Sequence, residues 1–192
     1  MKKYLILIDN DQFELSKLKS IASEQAQIAD VELIGIFVKD LNLSVIEDKF
    51  KEIVSNNMNK HIDMCFHVVV DACLSDEEHD LSSIRKEQKL SGVKCMKTIS
   101  TLLEECGCKY HLSLMTRFFA NQLHSLQELQ DFQNNKSNCF YAIIRKPVLD
   151  DGEIDNGFSP MPLYTNLLPA NELTLNYVES FKRILLNIFK EV

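Results

Sequence analysis

The run Phe66-His-Val-Val-Val-Asp71 constrains this chain more than any other stretch. Apolar residues at every position before the carboxylate except His67, with no alternation, fit a strand buried on both faces, as in a parallel sheet flanked by helices. The run ends abruptly in a carboxylate, followed by Ala72 and Cys73. In open α/β sheets the ligand crevice lies outside the carboxyl ends of the strands, so Asp71 is expected at its lip.

The rest of the chain supplies the partners such a strand needs. Tyr4-Leu-Ile-Leu-Ile8 is a second fully apolar run and ends in Asp9-Asn10-Asp11. Asp11 is placed to cap a helix from Gln12 to about Gln25, with Phe13, Leu15, Leu18, Ile21 and Ala22 at helical spacing. Val31 to Val38, interrupted by Glu32 and Gly35, reads as a strand nearer the sheet edge. Leu41 to Asn57 repeats Leu43, Val45, Ile46, Phe50, Ile53 and Val54 at spacings of mostly three and four, an amphipathic helix.

Beyond Asp71 the pattern lapses. An insertion over about 75–90 is polar and charged, its stretch Ser75 to Gln88 lacking an apolar face. Helical spacing resumes at Ser91-Gly92 with Val93, Met96, Ile99, Leu102 and Leu103, and Gly107 is a natural C-terminal cap. His111 to Met115, ending in Thr116, is the fourth strand; Ala120 to Phe132 is a helix with Leu123, Leu126 and Leu129 on one face. Phe140 to Ile144 is the fifth strand and runs into Arg145-Lys146-Pro147. A second insertion, about 149–169, holds three of the four prolines and precedes a final helix from about Asn171 to Lys190. Strand and helix alternate five times with no repeat and no linker. The expectation is one α/β domain over 1–192, a doubly wound five-stranded parallel sheet with right-handed crossovers.

Composition narrows the function. A net charge of −7 and the absence of any basic stripe argue against nucleic acid as a partner. No apolar stretch is long enough for a membrane span or a signal peptide, which points to a cytoplasmic protein with reduced thiols. The six cysteines do not fall in zinc-ligand spacing, and Cys106-Gly-Cys108 is too tight for a zinc-knuckle arm.

Four strands end in polar residues of distinct kinds: Asp9-Asn10-Asp11, Asp71, Thr116 and Lys146-Pro147. In this order the set resembles the receiver domain of bacterial response regulators, and the resemblance covers nearly the whole chain. It implies the flavodoxin-like strand order 2-1-3-4-5. It further implies that Asp71 accepts a phosphoryl group from a histidine kinase or phosphotransfer protein. Asp9 and Asn10 match the acidic pair that holds Mg²⁺, with Asp71 itself and the backbone carbonyl of Cys73 as further ligands. Thr116 would hydrogen-bond the phosphoryl oxygens and Lys146 would pair with them, its bond to Pro147 being cis. Ser91-Gly92 resembles the glycine that opens the third helix of such domains.

The chemistry explains the grouping. A carboxylate that accepts a phosphoryl group must be brought near other negative charge. Mg²⁺ offsets that repulsion with one or two carboxylates and several waters in its shell, and the transfer itself is mainly positioning and charge stabilisation. The implied protein is no enzyme beyond its own phosphorylation and dephosphorylation. It would signal through a downstream protein partner; the fourth helix and fifth strand are the family's common homodimer face, with Leu123, Leu126 and Leu129 equally readable as core.

The chain also departs from the family. Asn10 stands where the second acid is usual, Arg117 where a small residue follows the threonine, and Ile143 where the switch aromatic lies, with Tyr141 two positions off. These departures define a second reading, a pseudo-receiver that keeps the fold as a constitutive interaction module. A third is a hydrolase of another doubly wound family, with Asp9 as nucleophile and Asp11 as acid. Each residue has an ordinary reading as well: Asp9 and Asp71 as strand-end acids, Thr116 as a cap, Lys146 as a solvated cation. The insertion acids Asp76, Glu77, Glu78 and Asp80 read more simply as a solvated face than as extra ligands.

Overall fold

The computed structural model describes residues 1–58, 63–75, 90–116, 126–136 and 139–145, with Lys182 and Leu185. Five strands, β1 (Lys2–Asp9), β2 (Val31–Phe37), β3 (Met64–Asp71), β4 (Lys109–Thr116) and β5 (Phe140–Arg145), form one sheet in the order β2-β1-β3-β4-β5. Every neighbouring pair is parallel. The helices among the described residues are α1 (Gln12–Ile28), α2 (Leu43–Met58), α3 (Ser91–Glu105) and α4 (Gln127–Asn135). This is the doubly wound architecture and strand order that the strand pattern and the resemblance imply.

Burial explains the strand sequences. All eight residues of β3 are buried, as are six of the eight in β1, because helices cover both faces of these inner strands. In β2 only Val31 and Ile36 are buried, which is why Glu32 and Gly35 are tolerated at this edge.

Alternation of side chains divides the core into two layers. Ile6, Ile8, Phe66, Val68, Val70, Leu112 and Leu114 pack with residues of α2, α3 and α4. Leu5, Leu7, Val69, Met115 and Ile144 pack with Leu15, Leu18, Ala22 and Ala26 of α1 and with Leu185. Each fully buried aliphatic or Phe side chain contributes about 1.5–3 kcal/mol, so the two layers carry most of the stability. In the larger layer Tyr4 stacks on Phe66 with ring centroids 5.0 Å apart. The Tyr4 hydroxyl is satisfied by Asn57 Nδ2, which donates to it at 2.9 Å and to the Ile53 carbonyl at 2.6 Å.

Two expected core residues lie elsewhere. Phe13 is 59% exposed, with the Lys17 ammonium 4.0 Å from its ring centre, and Val45 is 43% exposed. Both occupy a helix's first turn, where the buried stripe on the sheet has already passed to Leu15 and to Ile46. Leu126 also differs: it is the extended residue before α4 (φ −84°, ψ 110°), although buried, so that helix begins at Gln127. Residues 117–125, both insertions beyond Ser75 and from 149 onward, and the final helix apart from Lys182 and Leu185 lie outside the described residues.

The smaller layer contains a buried polar pair. His67 Nε2 and Ser113 Oγ are 2.9 Å apart across β3 and β4, and the His67 ring stacks on that of His111 with centroids 5.9 Å apart. Burial, and secondarily the neighbouring His111, push the His67 pKa down to about 3, so its imidazole is neutral at physiological pH.

Candidate functional site at the carboxyl ends of the strands

Strand order creates the crevice. From β1 the chain crosses to β2 on one side, and its next strand, β3, lies on β1's other side; β1 and β3 therefore flank the switch point where doubly wound sheets open a ligand crevice. Both strands end there in a buried acid, Asp9 at 0% and Asp71 at 6% exposure.

Register brings the two acids together. Ile8 pairs with Val70, so Asp9 and Asp71 are the next positions on adjacent strands, whose spacing is about 4.8 Å. Alternation carries Asp9 in the series of Leu5 and Leu7, and Asp71 in the series of His67 and Val69. The carboxylates therefore share the α1 face. Thr116 ends β4 one residue beyond Met115, the register partner of Asp71, and is 2% exposed. Its series is that of Leu112 and Leu114, on the α3 side.

Local hydrogen bonds fix the β1 end. Asp9 Oδ1 accepts from the Asp11 amide at 2.9 Å, and the Asp9 carbonyl accepts from Val38 N at 3.0 Å. Asp11 Oδ1 then accepts from the amides of Phe13 (2.9 Å) and Glu14 (3.0 Å), capping α1 as its position in the sequence implies. Asn10, half-buried, is held between these two turns.

The β3 end is pinned by α3. Ala72 N donates to Met115 O at 2.7 Å and Gly92 N to Ala72 O at 3.0 Å. Ser91 Oγ accepts from Leu74 N at 2.7 Å, a role that the sequence signal Ser91-Gly92 did not disclose beyond marking a helix start. A Cβ on Gly92 would stand 2.1 Å from the Asp71 carbonyl oxygen and 2.8 Å from Ala72 Cα, so only glycine permits α3 this close to the strand end. The Cys73 side chain is buried within the larger core layer. Lys146, Pro147 and Arg117 lie outside the described residues. Ile143 is buried in the larger core layer and is 7% exposed.

The donor types suit Mg²⁺. Two carboxylates, the Asn10 amide oxygen and a backbone carbonyl are hard oxygen ligands, and one or two carboxylates with water complete the usual shell of this ion. Among the described residues no group of three or more His, Cys, Asp or Glu converges as a metal-holding cluster. Asp9 and Asp71 form a pair of buried acids on adjacent strand ends. No described helix is long and apolar enough to cross a membrane. Compared with known proteins, the chain matches no family model, no curated protein and no solved structure at a significant level.

Proposed function

We propose that the protein is a receiver-like signalling module that takes a phosphoryl group on Asp71 in a Mg²⁺-dependent reaction. The observation that carries this reading is the pairing of two buried acids, Asp9 and Asp71, at the switch point of a sheet with receiver strand order. Asp71 is the proposed acceptor because α3 pins its strand end and it is the less buried of the two acids, 6% exposed against 0% for Asp9. Asp9 and Asn10, with the Cys73 carbonyl, would hold Mg²⁺, which supplies neutralisation of the charge gathered between carboxylates and phosphoryl oxygens. Attack by a carboxylate oxygen on phosphorus forms the acyl phosphate and expels the donor's leaving group. Thr116 and Lys146 are the proposed hydrogen-bonding and charge partners of the phosphoryl oxygens. The phosphate adds about −1.5 to −2 charges at neutral pH, enough to bias loops at the sheet's carboxyl end and alter a surface read by a downstream protein. A histidine kinase or phosphotransfer protein is the proposed donor.

Asn10 favours a second reading, the constitutive pseudo-receiver, because one negative ligand is replaced by a neutral amide and Mg²⁺ affinity falls accordingly. Intact-mass measurement after incubation with a small acyl phosphate separates the two. The receiver reading expects one phosphoryl adduct that needs Mg²⁺ and vanishes in Asp71→Asn. A folded protein that gains no adduct and shows no Mg²⁺ binding by titration is the pseudo-receiver.

A further inference from the structure

At the opposite, amino end of the sheet a cavity of about 470 Å³ is lined by Met1, Met58, Met64, Cys106 and Cys108, together with Asp63, Gly107 and Lys109. Five of these eight residues carry sulfur, in a chain with only six Met and six Cys. Random placement of apolar residues would supply Leu, Ile and Val first. We propose that this cavity is a binding site for a soft monovalent metal cation, Cu(I), with the Cys106 and Cys108 thiolates as its primary ligands and methionine thioethers as further donors.

Residues from the start of β1, the end of α2, the start of β3 and the turn after α3 line it. Met1 precedes β1, Met58 ends α2 and Met64 opens β3, with Lys2 and Met64 in register. The turn is Cys106-Gly107-Cys108, which closes α3 before β4. Gly107 adopts φ +65°, its amide donates to Glu104 O at 3.0 Å, and Cys108 N donates to Leu103 O at 3.0 Å. This pair of bonds is the Schellman closure, which holds two cysteines two residues apart on a fixed turn. Neither is in a disulfide, both are part-exposed, and Met1 and Met58 are 62% and 51% exposed. Flexible thioethers at the mouth can therefore swing onto an ion held by the turn.

Metal preference follows from ligand softness. Thiolate and thioether sulfur select Cu(I) over hard cations, and Cu(I) accepts the low coordination numbers that two thiolates provide. A tetrahedral zinc site needs four strong ligands, and no three His, Cys, Asp or Glu among the described residues converge. Binding releases one proton from each thiol to solvent and leaves a bis-thiolate complex of net charge −1, in a lining where the charges of Asp63 and Lys109 offset each other.

The test is anaerobic titration of the reduced full chain with Cu(I) in competition with a chromogenic Cu(I) chelator. The expected result is one ion retained per chain, with Met58→Leu/Met64→Leu weakening retention about tenfold and Cys106→Ser/Cys108→Ser by roughly a hundredfold. Alkylation of the unmutated protein, mapped by peptide mass, gives a readout independent of variant folding: bound Cu(I) should shield Cys106 and Cys108 together. Failure of the wild type to compete, retention undiminished by the double serine variant, or unshielded Cys106 and Cys108 would each overturn the proposal. Asp71→Asn, at the other end of the sheet, should leave Cu(I) retention unchanged.

Discussion

Helix α3 has a glycine in its first turn and another just past its C-cap, and the two do opposite jobs at opposite ends of the sheet. Gly92, at the carboxyl end, is required by crowding: any Cβ there collides with the backbone of Asp71 and Ala72. Gly107, at the amino end, is required by handedness: its φ is +65°, yet a Cβ would meet nothing within 4 Å. The first fixes helix against strand at the acid pair. The second merely turns the chain, leaving room for a cavity. One end of the sheet is therefore closely packed around two carboxylates, and the other is open and lined with sulfur.

The largest expected effect breaks the packed end. Gly92→Ala must push α3 away from β3 and should cost about 3 kcal/mol or more, read as a lowered urea midpoint, because backbone atoms cannot yield as a side chain would. If the variant is as stable as the wild type, the close approach of α3 to Asp71 is wrong.

Next comes the buried imidazole between the two ends. His67 has a folded pKa near 3 and an unfolded value of 6.5, so the unfolded chain takes up the proton first. Its contribution is complete above pH 6.5 and is lost as pH falls from there towards 3, at about 1.4 kcal/mol per pH unit. From pH 6.5 to 5 this single group should remove about 2 kcal/mol, and His67→Gln should flatten that part of the stability profile. Urea midpoints at several pH values, wild type against variant, isolate the difference.

Gly107→Ala should cost about 1 kcal/mol, the strain of a left-handed alanine, with no repacking. A cost equal to that of Gly92→Ala would erase the contrast between the two ends. The smallest effect is also at the amino end. Lys136 Nζ donates to Glu104 Oε1, and Tyr110 donates to the same oxygen. The Lys136 ammonium first, then the Tyr110 hydroxyl, hold the Glu104 carboxyl below its usual range. Because the Glu104 side chain is about half exposed to solvent, Lys136→Ala should change stability by no more than about 0.5 kcal/mol.

These contrasts also show what a sequence reveals and what it hides. Uniformly apolar runs made β1 and β3 visible, and Asp11 announced the start of α1, because burial on both faces and capping are written locally. Strand order came through the sequence of polar strand ends rather than from any run alone. Register-dependent features stayed hidden. The shared face of Asp9 and Asp71, the His67–Ser113 contact and the convergence of Met1, Met58, Met64 and Cys106 all join residues far apart in the chain. Periodicity misplaced Phe13 and Val45 because apolar spacing does not record where a helix first meets the sheet. Gly92 was legible as a helix-opening glycine, but its 2.1 Å constraint exists only once Asp71 is beside it.

The central claim is that the crowded end is a phosphoryl-accepting site, and the most direct measurement is to locate the modified residue. After treatment with a small acyl phosphate and Mg²⁺, borohydride reduction converts an aspartyl phosphate to a stable alcohol that peptide mass spectrometry can place. The expected result is modification at Asp71 alone, dependent on Mg²⁺. Modification at Asp9 would instead support a hydrolase nucleophile, and no modified aspartate in the folded protein would contradict the receiver reading.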